Sequence, residues 1–287
     1  MIATSFDYAR AQTIEDAIAR LKESKGSGKL IAGGHSLVPL MKLRLSEPGL
    51  LIDIGRIPGL AGIKKVGDKL EIGAGTVHHE VATSSLVRGA CPALAEAAAS
   101  IGDQQVRNRG TLGGSLAHAD PAADYPAVML ALDAEIHITG VKGPRIAKAR
   151  TFFRGLFTVD LGAEEIITAV QFTPVKAAAY AKLHQRASHF AIVGVAAALE
   201  VSGGVIQSAR VGVTGATPSA KRLAAVEQRL NGAKAAPETA ATAAKDAGAE
   251  LEDINSDLHA SEDYRRAMVA VFTRRAVTAA IERSRES

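Results

Sequence analysis

Cysteine is nearly absent from this chain: Cys91 stands alone among 287 residues. One thiol cannot close an intrachain disulfide, and an iron–sulfur cluster takes about four thiolates. Cys91 precedes Pro92 and reads as a small core residue. Redox chemistry on this chain therefore needs an organic cofactor, and any cluster or metal must come from another chain. Tryptophan is missing, and aromatics make up 4% of the residues. No apolar run approaches the roughly 18 residues of a membrane helix. The run Met1-Ile-Ala-Thr-Ser-Phe-Asp-Tyr8 shows no basic segment followed by an apolar one. The expectation is a cytoplasmic chain without its own export signal, with association at the inner face of the membrane left open. Charge of one sign is not concentrated either. The net charge is +4, and the densest cationic cluster, Arg265-Arg266 with Arg274-Arg275, is spaced like the wet face of a helix. That spacing argues against a nucleic-acid surface.

What is there is enough for a packed core: 47% of the residues are hydrophobic, in a length that suits one large or two ordinary domains. Thr13-Ile-Glu-Asp16 reads as a capping box, and Ile14, Ala17, Ile18 and Leu21 then recur at helical spacing. A strand at 30–32 and a buried strand at 50–54 complete a β-α-β block. Further on, Gly67-Asp68 reads as a hairpin turn between two short strands. Helices are expected at 77–84, 93–100 and 121–132, and strands at 134–138, 145–149 and 166–172. Residues 174–178 read as a linker. The last block changes character, with strands at 180–185, 192–201 and 205–214 followed by helices at 220–230, 237–247 and 263–283. Strands in a run and then helices in a run argue for an α+β fold. The expected domains are 1–176, in subdomains of 1–56 and 57–176, and 177–287.

Several motifs fall short. Gly73-Ala-Gly-Thr-Val-His78 lacks the third glycine of a dinucleotide fingerprint. Gly26-Ser-Gly-Lys29 lacks the first glycine and the hydroxyl of a P-loop. Ser115 is not in a nucleophile elbow. His78-His79-Glu80, and His118 with Asp120 and Asp124, lack the spacing that sets two imidazoles on one helical face, so no metal site is expected. Two glycine pairs remain, in Lys29-Leu-Ile-Ala-Gly-Gly-His-Ser-Leu37 and Arg109-Gly-Thr-Leu-Gly-Gly-Ser115. Glycine lets backbone N–H groups approach an anion without a Cβ in the way. Two such loops point to a dinucleotide. After the second, Asp120 with Pro121 reads as a helix cap, and Asp124 lies about one turn on.

At this point the sequence resembles the FAD-binding medium subunits of the molybdenum hydroxylases, aerobic carbon monoxide dehydrogenase above all. The motifs are Ala32-Gly-Gly-His-Ser36, Thr111-Leu-Gly-Gly-Ser115, Asp120-Pro-x-x-Asp124, Gln105-Val-Arg-Asn-Arg-Gly-Thr111, Tyr180-Ala-Lys-Leu183 and Val193-Gly-Val-Ala-Ala197. The resemblance implies a two-subdomain FAD-binding domain of the vanillyl-alcohol-oxidase type, followed by a three-stranded sheet with helices. It implies that Ile31, Ala32, Gly33, Gly34, His35, Ser36 and Leu37, with Thr111, Gly113, Gly114 and Ser115, hold the FAD diphosphate. It places Asp120 in the signature, Asp124 toward the ribityl or flavin, Ile101 near the isoalloxazine, Ile167 near the adenine or flavin edge, and Lys182 near the flavin's polar edge. In Ser188-His-Phe-Ala191, Phe190 keeps the family's aromatic ring without a tyrosine hydroxyl.

The resemblance also implies partners. A large chain carries the molybdenum cofactor, a small chain carries two iron–sulfur clusters, and the assembly is a dimer of heterotrimers. This chain passes electrons through FAD to an external acceptor, a quinone or cytochrome rather than NAD, and carries no catalytic acid or base. A related hydroxylase acting on a heterocycle, an aldehyde or an aromatic acyl thioester stands as an alternative. So does a stand-alone flavin oxidase or a non-catalytic assembly subunit.

Overall fold

The computed structural model describes residues 2–285, so Met1, Glu286 and Ser287 lie outside the described residues. The chain begins with β1 (Asp7–Arg10), α1 (Ile14–Glu23), β2 (Gly28–Ile31), α2 (Leu37–Lys42) and β3 (Leu50–Asp53). The three strands form a parallel sheet in the order β1-β3-β2, since each strand is joined to the next along the chain through a helix. Thr13 caps α1, its hydroxyl accepting from the Asp16 amide at 3.1 Å. The Asp16 carboxylate reaches back to the Gln12 amide at 2.9 Å, one residue before the cap. Ala17, Ile18 and Leu21 are the buried face of this helix.

The next block runs β4 (Ile63–Val66), β5 (Lys69–Gly73), α3 (His78–Thr83), α4 (Ser85–Ala90), α5 (Pro92–Ala99), α6 (Gln104–Arg107), α7 (Leu112–His118) and α8 (Tyr125–Leu132). It continues with β6 (Glu135–Gly140), β7 (Gly143–Lys148), α9 (Ala149–Phe152), β8 (Phe153–Gly155), β9 (Thr158–Val159) and β10 (Glu165–Phe172). Five strands form an antiparallel sheet in the order β4-β5-β10-β6-β7. Two expectations need correction. Gly113-Gly114 lies inside the first turn of α7 rather than in a loop. The helix expected from residue 121 starts at Tyr125. Residues 121–123 are held away from helical geometry by the C-terminal sheet: Thr214 Oγ1 donates to the Pro121 and Ala123 carbonyls, and the Gly215 and Ala191 amides donate to Pro121 and Ala122. Asp120 therefore closes a turn through the Ala122 amide at 2.8 Å instead of capping a helix.

The last block holds β11 (Ala178–His184), β12 (Ala191–Ser202), β13 (Val205–Thr214), β14 (Lys221–Arg222), α10 (Ala224–Leu230), α11 (Pro237–Ala244) and α12 (Glu262–Ser284). Its sheet has four strands, not three, in the order β11-β12-β13-β14. The fourth is the pair Lys221–Arg222, where a helix start was expected. The segment expected as a linker is packed: Val175 and Ala177 are buried, and the Val175 amide donates to Ala90. Arg265 is not on a wet face. It is 2% exposed, and donates to the Ile192 and Gly215 carbonyls and to Asp257.

Helix α8 is buried along its whole length and joins the two parts of the molecule. Its last turn is closed from the C-terminal sheet, where Arg210 donates to the Ala131 carbonyl at 3.0 Å and Arg222 to Leu130 at 3.3 Å. Cations suit this end, because the free carbonyls carry the negative pole of the helix.

Candidate cofactor cleft

A cleft of about 880 Å³ opens where the β2–α2 loop, the start of α7, the β9–β10 segment and the tip of the β11–β12 hairpin converge. Ile31, Ala32, Gly33, Gly34, His35, Ser36 and Leu37 line it. The amides of Gly33, Gly34, His35 and Ser36 donate no hydrogen bond to any described residue. The loop keeps this shape partly because Gly34 has φ +74°, a left-handed backbone that glycine adopts without penalty. His35 Nδ1 shares a hydrogen bond with the Gly33 carbonyl at 2.9 Å. Four neighbouring donors without a protein partner form a cradle for an anion.

The second glycine segment is different. Thr111, Gly113, Gly114 and Ser115 also line the cleft, but their amides from residue 112 on are already used. Leu112 donates to Thr76, Gly113 to Ala74 and Ser115 to the Thr111 carbonyl, while Gly114 donates to Thr111 Oγ1 at 3.1 Å. What these glycines supply is room. A Cβ at Gly113 would stand 2.5 Å from Ala74 Cβ. A Cβ at Gly33 would overlap the Arg109 carbonyl oxygen, so the two glycine segments pack backbone against backbone. At Gly114 a Cβ would meet only Thr111 Oγ1, so its absence widens the cleft.

Ile101, Asp120, Asp124 and Ile167 line the same cleft, and Lys182 does not. Lys182 reaches across from β11 and pairs with Asp124 at 2.8 Å, with both side chains 5% exposed. Its ammonium also donates to the Ser100 carbonyl at 3.0 Å, and Tyr180 donates to Asp124 Oδ1 at 2.6 Å. Burial pushes the Asp124 carboxyl up, and the Lys182 ammonium and Tyr180 hydroxyl pull it back. Asp124 is thus held by the C-terminal sheet at the edge of the cleft, with both oxygens engaged.

Two of the cleft's side chains that sequence reasoning missed stand out. His78, assigned to a helix start, is 4% exposed and lies on the wall. Its Nδ1 shares a hydrogen bond with the buried Tyr125 hydroxyl at 3.0 Å, and its ring edge packs on Gly110. Burial, with His35 and Arg107 nearby, lowers its pKa to about 4, so it is neutral at pH 7. Phe157, at the tip of the β8–β9 hairpin, also lines the cleft. Neither carries a motif, since only the fold brings them there. A second cleft, of about 620 Å³, is lined by Lys69, Glu135, Lys148, Arg210 and Glu200 among others. These five are paired: Lys69 and Lys148 both with Glu135 at 2.7 Å, and Arg210 with Glu200 at 3.0 Å. Cys91 is fully buried, and burial raises its thiol to about 12, which keeps it inert.

Two family models match: FAD binding domain in molybdopterin dehydrogenase over residues 4–175, and CO dehydrogenase flavoprotein C-terminal domain over residues 178–280. The chain is 38% identical over 283 residues to the carbon monoxide dehydrogenase medium chain of Hydrogenophaga pseudoflava, covering 98% of each. It is 38% identical over 274 residues to the nicotine 6-hydroxylase medium subunit of Paenarthrobacter nicotinovorans, covering 95% of this chain and 96% of the other. A solved structure of carbon monoxide dehydrogenase from Hydrogenophaga pseudoflava superposes with a TM-score of 0.94 at 38% identity, over 99% of both chains. With both parts of the fold matched end to end, the chain belongs to the family of FAD-binding medium subunits of the molybdenum-containing dehydrogenases, and FAD is its cofactor.

Proposed function

We infer that the cleft holds the FAD of this electron-transfer subunit with its diphosphate against the amides of Gly33, Gly34, His35 and Ser36. The four unpartnered donors carry the reading, because a diphosphate is the part of FAD that takes several N–H donors at once. Thr111, Gly113, Gly114 and Ser115 form the adjoining wall, where the missing side chain of Gly114 leaves space. Ile31, Ala32, Leu37, Ile101 and Ile167 supply the apolar lining on which planar rings lose water. Asp120 flanks the cleft with its Oδ1 tied to Ala122. Asp124, fixed by Tyr180 and Lys182, sets the polar edge and links the cofactor to the C-terminal sheet. Bound FAD supplies the redox chemistry, which the protein positions and tunes.

The single cysteine leaves no room for a cluster on this chain. Electrons therefore arrive from iron–sulfur clusters on a small partner chain, which receives them from a large chain with the molybdenum cofactor. They leave for a quinone or cytochrome. Carbon monoxide is the substrate we assign to the complex, on the strength of the likeness to the Hydrogenophaga pseudoflava medium chain, and the assembly is a dimer of heterotrimers in the cytoplasm. The domains divide between residues 176 and 177.

The test is a visible spectrum of the natively purified chain or its complex, with mass spectrometry of the released nucleotide. One FAD per chain is expected, with loss of FAD in a Gly34→Val chain that still folds. A complex free of FAD overturns the site assignment.

A further inference from the structure

Phe157 occupies a position that a phenylalanine does not take cheaply. It is the second residue of the two-residue turn between β8 and β9, where Gly155 pairs with Thr158. Its φ is +49°, while Leu156 before it is not left-handed. That combination ordinarily calls for glycine at the second turn position, and a bulky side chain there costs conformational energy. The turn is not loose. Arg154 holds Asp160 at 2.7 Å, and Arg145 holds the Asp160 carbonyl at 2.8 Å and Glu165 at 2.6 Å. The residue lines the cleft. There it leans on the His118 ring at 5.1 Å, tilted by 44°, and still leaves the residue 52% exposed. An aromatic ring kept in strained backbone, braced on one side and open on the other at a cofactor cleft, is built to receive another flat ring.

We propose that Phe157 is a stacking platform for one of the two planar rings of the bound dinucleotide, adenine or isoalloxazine. The proposal rests on the FAD reading above. Strain and contact make opposite demands, and Phe157→Gly separates them. Glycine relieves the backbone and removes the ring, so a turn residue without a ligand role would be replaced at no loss of binding.

The experiment strips nucleotide from the natively purified full chain and titrates it with FAD by flavin fluorescence, for wild type, Phe157→Gly and Phe157→Trp. Thermal midpoints are measured on the nucleotide-free chains. Phe157→Gly should unfold at or above the wild-type temperature yet bind FAD about tenfold more weakly or worse, while Phe157→Trp stays within about threefold of wild type. ADP and FMN as separate probes identify the ring, since the glycine variant should lose affinity for one of them. Unchanged affinity of Phe157→Gly for FAD, ADP and FMN overturns the platform and leaves the cofactor site standing. A wild-type chain that takes up no FAD removes both.

Discussion

Replacing His78 with glutamine should remove a defined part of the acid sensitivity of this chain. The imidazole is 4% exposed, bonded to the Tyr125 hydroxyl, and lowered from 6.5 to about 4 chiefly by burial. A base whose folded pKa is depressed binds its proton more readily in the unfolded chain. Stability from this site is therefore complete above pH 6.5 and is lost as the pH falls from 6.5 toward 4. Integrated over pH 7 to pH 5, a site moving from 6.5 to about 4 accounts for about 2 kcal/mol. The buried carboxyl–tyrosine–lysine group is untouched by the substitution, and glutamine can still hydrogen-bond Tyr125. The partly exposed pairs of Glu135 and Glu165, whose carboxyls are lowered by their cationic partners, lose stability only below their ordinary carboxylate range. They fall outside this window. Burial lowers His118 as well, so wild type and variant share that contribution. The assay is urea unfolding of the nucleotide-free chain at pH 7 and pH 5. Wild type should lose about 2 kcal/mol more than His78→Gln between the two. Equal losses would show that His78 is not held neutral by burial, and the reasoning about this wall of the cleft would fail.

Further substitutions probe how the chain is built. Gly33→Ala forces a Cβ into the Arg109 carbonyl and should lower stability by about 1–3 kcal/mol, with weaker FAD binding in titration. Gly89→Ala, where a Cβ meets open space inside α4, should be neutral or stabilising by about 0.5–1 kcal/mol. Asp124→Ala leaves the Lys182 ammonium buried and unpaired, at about 3–5 kcal/mol. The double variant Asp124→Leu/Lys182→Met should be more stable in urea than either single one, and a double variant weaker than both would discount the pair.

Much of the fold was legible because its signals are local. The capping residue Thr13 and the period of Ile14, Ala17, Ile18 and Leu21 marked α1. Gly67, with φ of +61°, and Asp68 closed the β4–β5 hairpin that their pairing announced. The errors fell where distant backbone competes for the same groups. Residues 121–123 carry a helix-start signal, yet their carbonyls are taken by Thr214, Gly215 and Ala191. Arg265 sits in a charged run, yet carbonyls of β12 and of the turn after β13 draw it into the core. Local rules cannot weigh a partner some fifty or ninety residues away.

The sequence by itself showed too few thiols for an iron–sulfur cluster, pointed to a dinucleotide cofactor, and marked the two glycine segments that line the cleft. Each of these follows from residue type: one thiol cannot replace about four, and only glycine leaves backbone open at both segments. The tertiary structure decided which of the two segments offers free donors. Thr111 caps α7 and Ala74 and Thr76 take up its amides, whereas the amides of residues 33–36 meet no acceptor among the described residues. It also decided that Asp124 is gripped by Tyr180 and Lys182, and that His78 and Phe157 line the cleft, because hydrogen bonds and burial are settled only when the two halves of the chain close on α8.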